Sequence, residues 1–390
     1  MKIFFKLISL FFLANFITFS SNAEISLSGY QEFFAGSADQ TRQTALDVSS
    51  GASSNTSFGG FSNGTYTRLV ATATTQLDSG IEVVGILTMS KDADSGGDND
   101  NESVSVDQND ISFSGAFGTI AVGNTGSAGS MMHNRATTLP PTAEPDGAVL
   151  AHFYTGGSGT YGAHDEAGYA NDAVKIRFQS NVYEGFSIGY SHTPNLNADG
   201  ANASAIDQNG CSAADITGHA CYTDMNEIIL AYSTEFEGIG ISATYGLLDG
   251  NTNIRTSSSA PGFVNYNDLE AVTYTIGLTF GGATIHYKNN DMDNSGQVST
   301  QTDAGNITGD ALCGVYAIGN FTVGGCKVET SFDETGQSVS NGSTTDLIGF
   351  GYNLGGGVSL ETAYASIEEK DNGVIDTEVD VVMTKLSFGF

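Results

Sequence analysis

Apolar and polar residues alternate with a period of two along most of the chain, and helical periodicity is almost absent. The segment 173–179 has one apolar and one polar face, with Val174, Ile176 and Phe178 separated by Lys175, Arg177 and Gln179. The segment 270–280 repeats this pattern, and Gly281-Gly282 then supplies a tight turn. A turn there places Ile285 opposite Leu278, so the apolar faces of the two strands match. The pattern therefore predicts paired antiparallel β-strands.

The same alternation predicts sixteen strands, joined by short turns that alternate with long polar loops. The predicted strands are 25–36, 64–77, 81–91, 102–114, 117–124, 172–181, 184–193, 225–236, 239–249, 268–280, 283–292, 310–319, 322–332, 344–354, 357–367 and 378–390. Most have ten to thirteen residues, and a tilted strand crosses a bilayer with about 9–11. This layout is typical of an all-β fold, a transmembrane antiparallel β-barrel of 16 strands.

A soluble β-sandwich is the alternative, and it would leave a wet outer face and two exposed sheet edges. Apolar residues beside the short turns favour the barrel, because they would form a girdle at one membrane surface. These residues are Leu77, Phe113, Phe117, Phe178, Phe186, Phe236, Phe280 and Phe321. Proline cannot donate to a strand ladder, so all five prolines are expected in the long loops. They are Pro140, Pro141, Pro145, Pro194 and Pro261.

Residues 1–23 have the pattern of a secretory signal peptide. Lys2 and Lys6 give a basic start, an apolar stretch follows, and Ser21-Asn22-Ala23 offers a cleavage site. An N-terminal membrane anchor is the alternative interpretation. We therefore expect two parts, a signal peptide at 1–23 and a single barrel domain at 24–390.

The charge balance is strongly acidic, with 13 Lys and Arg against 44 Asp and Glu and a formal net charge of −31. Loss of Lys2 and Lys6 with the signal peptide leaves 11 − 44 = −33. This balance excludes a nucleic-acid partner, because phosphate binding needs clustered Lys and Arg. In a pore it predicts weak cation selectivity, since acidic residues around the mouth concentrate cations.

Three segments carry a resemblance to a known family. Residues 115–123 (Gly-Ala-Phe-Gly-Thr-Ile-Ala-Val-Gly) resemble a Phe-Gly-Thr-Val-x-x-Gly signature, and 172–178 with 185–190 resemble a strand pair that follows a pore loop. The chain ends in Leu-Ser-Phe-Gly-Phe (386–390), which is similar to an outer-membrane insertion signal. In this order, the segments resemble the 16-stranded trimeric general porins of Gram-negative outer membranes, above all those of alphaproteobacteria.

The resemblance implies a homotrimer of water-filled barrels in which the third long loop folds inward and narrows the pore. In this chain that loop is about 125–171, the longest connection, and such length commonly signals function. An acidic loop facing a basic wall would create a transverse field that admits ions and small hydrophilic solutes. The candidate constriction residues are Glu144, Asp146, Asp165 and Glu166 on the loop and Arg68, Lys175 and Arg177 on the wall.

The wall residues and the loop acids differ in how firmly the pattern places them. A charge that faces lipid at mid-bilayer costs about 2–4 kcal/mol, so Lys175 and Arg177 are expected to face the lumen. The same alternation places His286, Lys288 and Lys385 on the inner face. Each loop acid could equally be a solvated surface charge.

Four cysteines remain, in a protein expected to meet an oxidising compartment. Cys211 and Cys221 share one long loop and are disulfide candidates. Cys313 and Cys326 flank the turn near Asn320, so a hairpin there puts them opposite each other, with free thiols as the alternative.

No cofactor is expected, although the acidic segments leave loop-bound calcium open. Residues 291–296 match the first half of an EF-hand loop, but Thr302 occupies the position of the required Glu, which rejects that motif. Asp92, Asp94, Asp98 and Asp100 form a second acidic cluster, and solvated side chains are the favoured interpretation of both segments.

The sequence thus predicts a passive outer-membrane channel for ions and small hydrophilic solutes, and not an enzyme. Its expected partners are the lipid bilayer, lipopolysaccharide and two further copies of the chain. Gly-x-Ser-x-Gly, His-Glu-x-x-His and the P-loop are all absent. A substrate-specific channel with a saturable site is the main alternative, followed by an outer-membrane enzyme or an adhesin.

Overall fold

The computed structural model describes residues 23–43, 55–91, 104–133, 173–195, 221–253, 268–292, 307–332, 341–371 and 374–390. The first eight strands are β1 (Glu24–Gln43), β2 (Asn55–Gln76), β3 (Glu82–Lys91), β4 (Ser105–Gly115), β5 (Gly118–Asn124), β6 (Val174–Gln179), β7 (Phe186–Asn195) and β8 (Cys221–Phe236). The others are β9 (Ile239–Asn253), β10 (Leu269–Phe280), β11 (Ala283–Met292), β12 (Ile307–Ile318), β13 (Phe321–Phe332), β14 (Asn341–Gly355), β15 (Val358–Asp371) and β16 (Val374–Gly389). One short helix, α1 (Ala128–Met132), follows β5.

The strands form one closed antiparallel barrel, in which consecutive strands are neighbours and β1 closes on β16. At this seam Phe34 pairs with Lys385 and Tyr30 pairs with Gly389. Closure gives every strand two partners, so the sheet has no open edge to present to lipid. The predicted 16-stranded barrel is confirmed. None of the helices in the described part of the chain is long and apolar enough to cross a membrane.

The two faces of the barrel follow the alternation of the sequence. On β6, Val174 and Ile176 are 37% and 44% exposed on the outer surface, whereas Lys175 and Arg177 between them are 2% and 8% exposed. Leu278 pairs with Ile285 across the β10–β11 turn, so the predicted register is confirmed. Gly281 and Gly282 have φ values of 52° and 87°, which a side chain would disfavour.

Strand ends differ from the prediction mainly on the side of the long loops. β1 continues to Gln43 and β2 begins at Asn55, because the polar outer positions there hide the alternation.

The expectation that every proline lies in a loop is wrong for Pro194, which belongs to β7. The register of β8 against β9 shifts between Thr223 and Asn226, where Asp224 has a φ of 52°. Proline is tolerated here because the local pairing is already irregular.

The inside of the barrel has one large apolar region on β12–β16 and β1, called here the apolar wall. Its buried residues are Phe34, Ala311, Cys313, Cys326, Val328, Leu347, Ala363, Ala365, Ile367, Val379, Val381 and Met383. Nearer the short turns, Lys385 bridges Glu32 at 3.3 Å and Glu361 at 3.2 Å. The inner face is therefore apolar over part of its circumference and charged elsewhere.

Candidate functional site: the root of the pore loop

The segment Thr125–His133, called here the loop root, is the first part of the third long loop. Ser127 caps α1, and its hydroxyl accepts a hydrogen bond from the Ser130 amide at 3.2 Å. The helix packs on β6, β7 and β8, and its partners on these strands are inward-facing side chains. The loop root therefore lies inside the barrel, against the wall.

Two basic side chains of β6 hold the start of the loop root. Lys175 Nζ donates to the Thr125 carbonyl and, at 2.6 Å, to the Ala173 carbonyl. Arg177 Nη1 donates to the Gly126 carbonyl at 3.0 Å. Backbone carbonyls buried away from water need such donors, so these cations satisfy the chain where it leaves the sheet.

A buried carboxylate on β8 holds α1 itself. Glu227 is 4% exposed, and its Oε2 accepts the Gly129 amide at 2.7 Å. Ser191 Oγ accepts the Ala128 amide at 3.1 Å and donates to Glu227 Oε2 at 3.2 Å. The first amides of a helix have no partner within it, so Glu227 and Ser191 satisfy two groups that the short helix leaves open.

His133 fixes the other end of the loop root. Its Nδ1 lies 2.6 Å from Thr244 Oγ1, which is 2.5 Å from Thr275 Oγ1. Burial, followed by the positive charge of Lys288, lowers the pKa of His133 to about 3. The imidazole is therefore neutral near pH 7, and it is hydrogen-bonded to the hydroxyl of Thr244 on β9, which in turn contacts the hydroxyl of Thr275 on β10.

Glycines make the room that this packing needs. A Cβ on Gly129 would collide with the Glu227 carboxylate, and one on Gly189 would collide with Met132. A Cβ on Gly246 would lie 2.6 Å from His133 Nε2. Small residues at inward positions of β7 and β9 thus form the seat for α1 and His133.

The structure brings together only part of the predicted constriction. Lys175 and Arg177 contact the loop root, whereas Arg68 lies partly exposed on β2. In the ring of sixteen strands, β2 is four to six strands away from β6–β8, on which α1 packs, so Arg68 lies on a separate part of the inner wall. Glu144, Asp146, Asp165 and Glu166 lie outside the described residues, as do residues 1–22 of the predicted signal peptide 1–23.

The cysteine and calcium predictions are partly covered by the described residues. Cys313 pairs directly with Cys326 across β12–β13, with Cα atoms 4.1 Å apart and the sulfurs joined in a disulfide. Cys211 lies outside the described residues, so its pairing with Cys221 stays a prediction.

The acidic segments considered for calcium are mostly outside the described residues, namely Asp92–Asp100 and 293–296. Across the described ranges, no three His, Cys, Asp or Glu side chains are grouped as metal ligands.

Sequence reasoning missed the residues that seat the loop root from β7–β10. Glu227 carried a usable signal, because it occupies an inward position between the buried Met225 and Ile229. A lone acid between apolar residues on one strand face indicates a specific partner. Ser191, Thr244 and Thr275 carried no such signal, since Ser and Thr are common at inward positions throughout this chain.

Comparison with known proteins agrees with this architecture. A model of the Gram-negative porin family matches residues 9–372, so the chain belongs to that family. The protein is an outer-membrane porin channel of a Gram-negative bacterium, and the family is one of passive channels. No curated protein sequence matches the chain.

Solved porin structures share the fold at low sequence identity. The anion-selective porin from Comamonas acidovorans is 16% identical with a TM-score of 0.58, over 94% of this chain and 100% of that one. A triple mutant of the Rhodopseudomonas blastica porin is 19% identical with a TM-score of 0.52, over the same shares. The outer-membrane channel DcaP of Acinetobacter baumannii is 11% identical with a TM-score of 0.62, over 96% of this chain and 99% of that one.

Proposed function

We propose that this porin is a general diffusion channel for ions and small hydrophilic solutes, with weak cation selectivity. The observation that carries the proposal is the loop root bonded to the inner wall, because a loop held there narrows a pore without plugging it. Four wall side chains (Lys175, Arg177, Glu227 and Ser191) bond to its backbone.

The proposed constriction has a basic and an acidic side. Arg68, Lys175 and Arg177 supply the basic side, and Glu144, Asp146, Asp165 and Glu166 supply the acidic side. Arg68 is the basic group that solutes touch, since it is partly exposed. Lys175 and Arg177 act mainly by fixing the loop root, because each is less than a tenth exposed.

The distribution of charge supports cation selectivity. Among the inward side chains of the described strands that are buried or partly buried, basic and acidic groups nearly balance, namely Arg68, Lys175, Arg177, Lys288 and Lys385 against Glu32, Asp107, Asp110, Glu227, Glu361 and Glu369. The excess of 44 acidic over 13 basic residues therefore falls mostly on other surfaces, including the long loops. Acidic loops at a pore mouth raise the local cation concentration. The anion-selective neighbour shares only 16% identity, so its selectivity does not transfer.

The outer surface supports a homotrimer. Exposed tyrosines of the outer face lie on β7, β9, β10, β12 and β15, at Tyr190, Tyr245, Tyr274, Tyr316 and Tyr364. Among the described residues of β1–β5, no tyrosine is exposed in this way. Tyrosine marks lipid interfaces, so we propose that β1–β5 face neighbouring copies. Mass measurement of the detergent-solubilised protein tests this, and a monomeric mass contradicts it.

Reversal potential across a planar bilayer under a salt gradient tests the function. We expect conductance that rises linearly with salt and a potential that favours cations. Arg68→Gln should increase the cation preference, because it removes the exposed positive charge. Anion preference in the wild-type protein would reject the selectivity proposal while leaving the channel, and absence of conductance would reject the diffusion pore.

A further inference from the structure

The inner wall on β1–β4, away from the loop root, carries a second group of polar and aromatic residues, called here the Tyr–Arg patch. It consists of Tyr30, Tyr66, Arg68, Ser90 and Asp107. Arg68 pairs with Tyr30 across β1–β2 and with Ser90 across β2–β3. Three neighbouring strands therefore bring a guanidinium, two phenol rings and a hydroxyl together, and β4 adds the carboxylate.

The patch is a connected network. The rings of Tyr30 and Tyr66 lie 5.6 Å apart at an interplanar angle of 31°. The Tyr30 hydroxyl is bonded to the Arg68 guanidinium, and the Tyr66 hydroxyl is bonded to Ser90. Ser90 Oγ donates to Asp107 Oδ1 at 2.8 Å, and Ser105 Oγ donates to the same oxygen at 2.9 Å. These bonds fix the donors, acceptors and rings relative to one another before any solute arrives.

The patch lies where solutes must pass. Tyr30 is six residues beyond the start of β1 and Arg68 is eight residues from the end of β2. At about 2.5 Å of rise per tilted residue, both stand roughly 15–20 Å above the short turns, near the middle of the barrel. Tyr30, Tyr66, Arg68 and Asp107 are each partly exposed, unlike Lys175 and Glu227 on the anchoring strands, which are buried.

We propose that the Tyr–Arg patch is a binding site for neutral polyhydroxylated solutes, the class to which sugars belong. The tyrosine rings offer apolar faces with polar edges, which suit the mixed C–H and hydroxyl surface of a sugar ring. Arg68 has five N–H donors, and the Asp107 carboxylate accepts several hydrogen bonds, so together they match hydroxyls that both accept and donate.

The patch itself offers no net charge to a solute, because the charges of Arg68 and Asp107 offset each other. The excess of acidic residues in the chain repels anions. A neutral polyol is not repelled in this way and can use the hydrogen-bonding groups and the ring faces together. This inference rests on the proposed diffusion channel, which must be open for the solute to reach the patch.

The experiment is a titration of the pore conductance with maltose, using the full mature protein in a planar bilayer. We expect conductance to fall to a plateau as maltose occupies the patch, and polyethylene glycol of the same size to lower it without saturation. Tyr30→Ala should raise the half-saturating maltose concentration about 10-fold, as expected for loss of one stacking ring. Tyr30→Phe keeps the ring and should raise it less. Tyr245→Ala removes a ring from the outer face and serves as the matched control.

The outcomes separate this inference from the function on which it rests. A conducting pore in which maltose acts without saturation, like polyethylene glycol, overturns the binding site alone. Saturation by succinate but not by maltose also overturns it, because the patch would then select anions. Equal half-saturation in wild type and Tyr30→Ala places the solute elsewhere and overturns the assignment. A chain that forms no conducting pore overturns the diffusion channel and this inference together.

Discussion

Two regions of the inner wall use opposite chemistry. On β6–β10, the anchoring wall, Lys175, Glu227 and Thr244 bond to the loop root. On β12–β16 and β1, the apolar wall buries side chains such as Val381 and Ile367, which are 0% and 1% exposed. Both regions are inside the same barrel and are produced by the same alternation of residues.

The difference shows that the direction in which a side chain points does not fix its chemistry. The loop root leaves the sheet with free backbone groups, and buried groups of that kind require hydrogen-bond partners. The anchoring wall supplies charges and hydroxyls for this reason. The apolar wall gains stability from removal of apolar surface from water, about 25 cal/mol per Å². The barrel interior therefore combines a polar anchor with an apolar core.

The largest expected effect comes from placing a charge in the apolar wall. Val381→Asp buries a carboxylate without a partner and should destabilise the barrel by about 4–5 kcal/mol. Val381→Thr has a similar shape and should cost about 1–2 kcal/mol. Guanidinium unfolding of the refolded barrel in lipid vesicles measures both. Equal unfolding midpoints for Val381→Asp and wild type would contradict the apolar wall.

Removal of the central anchor should have the next largest effect. Glu227→Ala leaves the Gly129 amide and the Ser191 hydroxyl without their acceptor, at about 2–4 kcal/mol for the two groups. The same variant should raise the noise of the open-channel current, because α1 is no longer held. Glu227→Gln keeps an acceptor oxygen and should lose about 1 kcal/mol. An Ala variant as stable and as quiet as the Gln variant would show that α1 does not depend on Glu227.

Acid should weaken the anchoring wall through His133. Its pKa is about 3 in the folded chain and about 6.5 in an unfolded chain, so the unfolded state binds more protons between these values. Stability should therefore fall as pH drops below about 6.5, by about 2 kcal/mol at pH 5. His133→Asn should remove this part of the pH dependence. Identical unfolding profiles from pH 7 to pH 5 for wild type and His133→Asn would contradict the assignment.

The smallest expected effect comes from filling the seat of His133. Gly246→Ala adds a methyl group next to His133 and Ile229, and overpacking of this kind costs about 1–2 kcal/mol. Gly85→Ala on β3 is a matched control, because no atom lies within 4 Å of a Cβ there. Thermal unfolding of the two variants in one detergent gives the comparison. A Gly85→Ala variant that loses as much stability as Gly246→Ala would attribute the effect to the glycine backbone and not to the seat.

The alternation of apolar and polar residues was enough to predict most of the fold. Alternation located all sixteen strands, and the turn at Gly281-Gly282 gave the register of Leu278 against Ile285. It also placed Lys175 and Arg177 on the inner face, because a charge cannot face lipid without a large cost. The prediction that Pro194 lies in a loop was wrong. The irregular pairing near Asp224 that tolerates this proline lies on the neighbouring strand β8, which the sequence around Pro194 does not reveal.

The sequence by itself predicted the sixteen strands, the short turns, the closed barrel and the inner or outer face of residues such as Lys175 and Ile176, since these follow from a period of two and from the cost of placing charge in lipid. Only the tertiary structure decided which inward residues meet. Glu227 is 98 residues from Gly129, and His133 is 111 residues from Thr244. No local pattern encodes contacts at such separations, because they depend on the curvature of the closed sheet and on where the chain enters the lumen.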